Sequence, residues 1–248
     1  MLDDTSFIIF VAVGFVAQLI DGALGMAYGV SATSLLLTAG VSPAVASATV
    51  HIAECFTTGA SAVSHRVFGN IDKNIFRRLL IPGVLGAICG AYLVSNFPSE
   101  TIRPIVSLYL LFMGALIILK AVREFPTKEV SSHLTPLGFG GAFLDAAGGG
   151  GWGPIVASTL IARGSELRFA VGTVNAVEFF VALAASATFI IELGSFDWKM
   201  VAALGLGGLL AAPVGAYACQ RVPHKPFMIV VGAVVIGLSV HGIIRYFS

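Results

Sequence analysis

Apolar residues in this chain run in long blocks separated by short polar interruptions. Five blocks fall in the first half, near 7–20, 24–40, 43–65, 75–95 and 102–120. Five more fall in the second, near 134–144, 152–163, 167–191, 199–220 and 226–245. Read as helices, the last three of each half are long enough to cross a bilayer, since about 23 residues rise roughly 34 Å against a hydrocarbon core of about 30 Å. The first two of each half are shorter, about 10–17 residues, and meet at an Asp/Gly-rich linker. Such lengths suit the half-helices of a re-entrant hairpin better than full spans. The pattern predicts an all-α polytopic membrane protein.

The blocks repeat. With a shift of 124 positions, Asp21, Gly25, Gly29, Thr49, Glu54 and Ala60 meet Asp145, Gly149, Gly153, Thr173, Glu178 and Ala184, and no gap is needed. One added residue then aligns the "GAY" at 90–92 with the "GAY" at 215–217, and Pro98 with Pro223. This internal similarity marks a duplication. It divides the chain into a first repeat at 1–122, a linker at 123–133 and a second repeat at 134–248.

Charge then sets orientation. Whether the short segments are half-helices or tilted spans, each repeat makes an odd number of crossings, so the second enters the membrane from the opposite side. Following that alternation, one side receives Arg66, Lys73, Arg77, Arg78, Lys120, Arg123, Lys128, Arg163, Arg168, Arg221 and Lys225. The other receives only Arg103, Lys199 and Arg245. By the positive-inside rule the first side is cytoplasmic and both termini are extracytoplasmic. The duplication therefore reads as two inverted-topology repeats, each with a short broken-helix hairpin plus three transmembrane helices.

Composition agrees with the pattern. Hydrophobic residues make up 57% of the 248 positions and charged residues 11%, where soluble chains carry about 25% charged residues; mean hydropathy is +0.94. The acidic start "MLDDTSF" lacks the basic region of a cleaved signal peptide. Cys55, Cys89 and Cys219 sit in apolar segments without metal-like spacing and read as packing residues. No nucleotide-binding G-x-x-x-x-G-K loop occurs, which argues against an ATP-driven pump. Nothing calls for a cofactor, a bound metal or a nucleic-acid partner.

The stretch "LDAAGGGGWGPI", 144–155, interrupts the oil with four glycines. Gly148, Gly149, Gly150 and Gly151 permit a sharp turn and close approach of a ligand or a neighbouring helix. Pro154 suits the first turn of a helix over 154–163, whose positive N-terminal end would face the turn and attract an anion. The matching first-half stretch, "DGALGMAYG", keeps Asp21, Gly25 and Gly29. Two readings stand: a substrate-binding turn completed by Trp152, or glycines that only let helices pack tightly. Asp21 and Asp145 read as caps of the half-helix ends, or else as residues that pin the turn.

"GGAFLDAAGGGGWGPI" and "GNIDKNIFRRLLIPGVLGAICGAYL" resemble the signature segments of the sulfite exporter TauE/SafE family, and the likeness extends over about residues 10–245. The resemblance implies a bacterial inner-membrane permease for small sulfur-containing anions such as sulfite, sulfoacetate or other organosulfonates. The first-half turn departs from the glycine-rich form, with Leu24, Met26 and Ala27 where the second half has glycines, which makes the second turn the better anion candidate.

Glu54 and Glu178 lie halfway along two long apolar segments at equivalent repeat positions. A midplane carboxyl is unfavourable by about 2.5 kcal/mol or more, so each is a functional candidate. His51 lies one helical turn before Glu54, and Asn175 holds the matching place before Glu178. For an anionic cargo the glutamates make sense as proton carriers, with His51 as relay or anion contact. The alternative is structural, with neutral glutamates hydrogen-bonding between helices. The partners expected are a small anion, protons and membrane lipid, with a homodimer among the assemblies open to the chain. Three rivals are a cation or metal permease using the carboxylates, an intramembrane enzyme using His51 and Glu54, and a scaffold without transport.

Overall fold

The structure is a computed structural model, and it describes residues 4–123, 133–218 and 224–247. Cys219, Lys128, Arg221 and most of the linker at 123–133 lie outside the described residues. The described residues form ten α-helices: α1 (Asp4–Leu24), α2 (Tyr28–Thr38), α3 (Pro43–Val67), α4 (Lys73–Asn96) and α5 (Ser99–Val122), then α6 (Leu134–Gly148), α7 (Ser158–Ala162), α8 (Leu167–Leu193), α9 (Trp198–Ala218) and α10 (His224–Phe247). A π-helical turn, Gly153–Ala157, precedes α7 and runs straight into it. Among the described residues no strand occurs. Among the described residues four helices, α4, α5, α8 and the Trp198–Gly215 part of α9, are long and apolar enough to cross a membrane. α3 has 25 residues, a rise of roughly 37 Å.

Helix ends follow local chemistry. α1 and α6 both stop at a glycine in the left-handed region, Gly25 at φ +68° and Gly149 at φ +71°. Each glycine N–H turns back to the carbonyl of an aspartate four residues earlier, Asp21 or Asp145. This is the usual C-terminal stop of a helix, which glycine makes without steric penalty. At the start of α4, Asp72 accepts hydrogen bonds from the N–H groups of Asn74 and Ile75 at 2.8 and 3.1 Å, an N-cap.

Two details differ from the sequence pattern. α1 has 21 residues, longer than the apolar block at 7–20, because helical geometry continues through Asp21 to the glycine stop. The segment after the glycine run begins at Gly153 rather than Pro154, and its first turn is π-helical. Pro154 has no N–H to place in a regular ladder, and π geometry occurs mostly as single-turn irregularities of this kind within α-helices.

Packing pairs the halves. α1 lies along α9 and α6 along α4; α3 lies along α8 and α5 along α10. Exchanging the halves maps this set onto itself. Gly90 packs on Phe143 and Ala146, and its counterpart Gly215 packs on Gln18 and Gly22. Equivalent helices run antiparallel where they touch: His51 is beside Phe189, Cys55 beside Ser186 and Gly59 beside Phe179. Along α5 and α10, Gly114 meets Gly232 while the Tyr246 hydroxyl donates to the Glu100 carbonyl. Small residues allow these backbones to approach closely, which drives helix association in lipid. Many outward side chains on α4, α5, α9 and α10 are large, apolar and exposed, including Ile81, Phe112, Leu210 and Val230.

A methyl group at Gly90 would collide with the Phe143 carbonyl, whereas nothing lies within 4 Å of one at Gly140. Gly90→Val is therefore expected to lower the thermal unfolding midpoint in detergent by several degrees, because overpacking costs about 1–3 kcal/mol. Gly140→Ala should leave that midpoint unchanged or raise it.

Candidate functional site

The two helix breaks cross each other at the centre of the fold. A Cβ on Gly29 would lie 2.7 Å from the Gly150 Cα, and one on Gly153 would lie 2.5 Å from the Met26 Cα. These contacts exchange under the repeat, since Gly29 matches Gly153 and Met26 matches Gly150. Only backbone fits there. The rest of the glycine run is equally close to its surroundings: Gly148 and Gly151 lie against Tyr109, and Gly149 against Thr33. The Thr33 hydroxyl donates to the Gly149 carbonyl, and the Tyr109 hydroxyl donates to the Gly150 carbonyl at 2.8 Å. On the first-half side Ala27 takes φ +102°, a strained value for a residue with a Cβ; its counterpart is Gly151.

Asp145 organises the turn. Its carbonyl accepts from the Gly149 and Gly150 N–H groups, and its Oδ1 accepts from the Trp152 N–H at 3.0 Å. Its Oδ2 lies 3.2 Å from His51 Nε2. The same histidine holds its Nδ1 2.8 Å from the Ser47 carbonyl, which can only accept, so Nδ1 carries hydrogen. The contact between Nε2 and Oδ2 must then hold a proton as well, as imidazolium with carboxylate or imidazole with carboxylic acid. Ser47 completes the clamp by donating to the Ala146 carbonyl at 2.6 Å.

Trp152 is fully buried. Its indole N–H donates to the Val174 carbonyl at 3.2 Å, and its ring lies against Gly83 and Gly141. It therefore anchors the π turn to α4 and α8, away from the crossing. Behind that turn, Lys120 Nζ donates to the Ser158 hydroxyl at 2.5 Å and to the Pro154 carbonyl at 3.3 Å.

Glu54 touches the crossing itself. Its Oε1 lies 3.2 Å from where a Gly29 Cβ would stand, and its Oε2 is buried without a protein partner. Glu178 is buried as well, and Asp21, Glu54, Asp145 and Glu178 lie within electrostatic reach of one another. Four ionised carboxylates so placed would repel each other and forfeit their hydration, so the cluster must share protons or admit a cation. Asn175 donates to the Val171 carbonyl at 3.0 Å and leaves its Oδ1 without a partner. Among the described residues no three His, Cys, Asp or Glu side chains gather as a metal-binding group.

Gly29, Gly150, Glu54, His51 and Asp145 come together here; Ser47, Thr33, Tyr109 and Gln18 were not among the candidates from sequence, and Lys120 was counted only as a basic residue of the cytoplasmic side. Gln18 is buried one turn before Asp21 and leaves both amide atoms unpartnered. Hydroxyls and an amide spaced among apolar residues carry little signal singly. Ser47, on α3, could have been found from its place one helical turn before His51.

The clamp predicts a ranking of variants. Asp145→Asn can still accept from Trp152 and donate to His51, so it should unfold close to the parent temperature. Asp145→Ala strands two buried polar groups, each worth about 1–3 kcal/mol, and should lower the unfolding midpoint in detergent markedly. Equal midpoints for the two variants would contradict the clamp.

Comparison with known proteins agrees with this architecture. A profile of the sulfite exporter TauE/SafE family matches residues 10–241. A protein of Bacillus subtilis (strain 168) described as "Probable membrane transporter protein YtnM" is 42% identical over 248 positions, covering 96% of this chain and 83% of the relative. The long apolar helices, the paired halves and this similarity over nearly the whole chain lead to one assignment: the chain belongs to the sulfite exporter TauE/SafE family of membrane transporters.

Proposed function

We propose that the protein is a secondary transporter of small sulfur-containing anions such as sulfite, sulfoacetate or other organosulfonates, working by alternating access and coupled to protons. One observation carries the reading: a buried glutamate with an unpartnered carboxylate oxygen, Glu54, lies against the point where two broken helices cross. Broken helices meeting between repeats are where secondary transporters bind their cargo. The antiparallel packing of α3 on α8 and α5 on α10 supports an inverted-topology pair of repeats, divided at the linker 123–133. The excess of basic residues on one side supports a multi-pass protein of the bacterial inner membrane with both termini outside. The family supplies the class of cargo.

In this reading Glu54 and Glu178 carry protons. The turns around Gly25, Gly29 and Gly148 to Gly151 form the anion site, with His51 and Asn175 beside it, when the crossing opens. Asp21, Asp145 and Pro154 shape the turns, and Trp152 holds the second turn in place. The crossing is closed by backbone contact in this conformation, so substrate passage requires Gly29 and Gly150 to separate. The clamp at Asp145 occupies the Trp152 amide that an anion would otherwise meet, and proton transfer to the His51–Asp145 pair provides a means of loosening it.

Radiolabelled sulfite and sulfoacetate flux into proteoliposomes, with and without an imposed pH gradient, tests the proposal. The parent protein should accumulate at least one anion when the gradient is imposed. Glu54→Gln or Glu178→Gln should abolish gradient-driven accumulation, at least ten-fold, while substrate exchange persists. Movement of a divalent cation with no movement of either anion would overturn the anion reading and make the carboxylates cation ligands.

A further inference from the structure

α3 carries polar residues at Ser47, His51, Glu54, Thr58, Ser61 and His65, alternating in steps of four and three. That spacing places all six on one stripe of the helix, and all six are buried. The first part of the stripe is the clamp already described. Beyond it, Glu54 Oε2, Ser61 Oγ and His65 Nε2 have no hydrogen-bond partner in the protein. From Glu54 to His65 the helix rises about 16 Å, roughly half a membrane.

The second repeat supplies an internal comparison. The positions of α8 that match Thr58, Ser61 and His65 are Ala182, Ala185 and Phe189, all fully buried. Phe189 lies 5.9 Å from His51, ring to ring, while Asn175 lies toward the other end of α8, three residues from Gly172, which packs on the Asn70 backbone. Asn175 Oδ1 is a further buried atom without a partner. Beyond the paired glutamates, one repeat thus carries the file Thr58, Ser61 and His65 toward a helix end, with Ser61 Oγ and His65 Nε2 unpartnered, and the other carries alanine and phenylalanine at those places.

Buried polar atoms in folded proteins are almost always satisfied, by protein or by water, and internal waters typically bridge about three such groups. We propose that this stripe is a water-filled proton path between Glu54 and the basic end of α3, with His65 as its terminal exchange group. His65 suits that position. Its Nδ1 accepts from Asn70 Nδ2 at 3.2 Å, which leaves the hydrogen on Nε2, the atom without a protein partner. Asn70 lies in the loop that closes this end: its backbone packs on Gly172, and two residues later the Asp72 N–H donates to Thr173 Oγ1 at 2.8 Å. The charged groups around the exit are Arg66, Asp72, Lys73 and Arg77 from α3, the loop and α4; α8 presents uncharged Asn175. Because only one repeat holds the file, protons exchange with one side of the membrane by this route, and the route is asymmetric although the fold is paired.

Hydration of the stripe stands independently of the transport proposal; the assignment of protons to it rests on that proposal. The test uses full-length protein with Cys55, Cys89 and Cys219 replaced by serine. Ser61→Cys and Ala185→Cys are each treated with methanethiosulfonate ethylammonium in membrane vesicles and must both label fully after denaturation. Ser61→Cys should react at least ten-fold faster than Ala185→Cys in the folded protein; equal rates overturn the path. Hydroxyl-radical footprinting of the unsubstituted protein reads the same property without mutation: His65 should be oxidised well above Phe189, and equal protection overturns the path. His65→Phe, which copies the other repeat, should then remove gradient-driven accumulation while substrate exchange persists. If His65→Phe keeps that drive, the proton assignment fails even where Ser61→Cys labels. If the parent protein shows no gradient-driven flux of any anion, the transport proposal fails, and the labelling rates still decide whether the stripe is wet.

Discussion

Backbone contact at the crossing of the two broken helices governs the rest of the structure. Gly29 rests on Gly150 and Gly153 rests on Met26, with no space for a side chain between them. A broken helix inside a membrane leaves N–H and C=O groups without their helical partners, and lipid cannot supply substitutes. The protein solves this by surrounding each break. The Asp145 carbonyl and carboxylate take the amides of the glycine turn, while Thr33 and Tyr109 donate to its carbonyls. The four glycines therefore do two jobs at once, turning the chain and admitting neighbours on every side.

From that requirement the polar interior follows. Asp145 needs His51 to share a proton, His51 needs the Ser47 carbonyl, and Glu54 is left one helical turn away with an oxygen unpartnered. A structural need for a satisfied break thus brings ionisable groups to the middle of the fold, where they become available for coupling. Around this centre the pairing of α1 with α9 and of α6 with α4 repeats one packing motif twice. The chemistry is not repeated in the same way: His51 has Asn175 as its counterpart, and the far part of the α3 stripe has alanines and a phenylalanine.

Much of this was legible in the chain. The ten segments and the duplication at 124 positions appear as spacing, because helix length leaves a direct mark on sequence; the aspartate–glycine linkers mark where the helices break, while the stops at Gly25 and Gly149 come from the structure. Other features were not legible, for physical reasons. Trp152 beside a glycine run suggested a ligand contact; the donation of its indole N–H to the Val174 carbonyl on α8 is a contact between helices that local sequence does not announce. The length of α1 was underestimated because a buried aspartate ends an apolar block without ending a helix. Tyr109 and Lys120 reach the break from α5, at positions 41 and 34 residues away, and no local pattern records contacts of that kind.

The most direct test of the central claim is diffraction at the selenium absorption edge from crystals of the protein grown with selenite, a heavier analogue of sulfite. An anomalous peak is expected beside Glu54 between the two breaks, with the Gly29 and Gly150 backbones moved apart to admit it. A peak confined to the basic surface at Arg66, Lys73 and Arg77, with the crossing still closed, would contradict that claim.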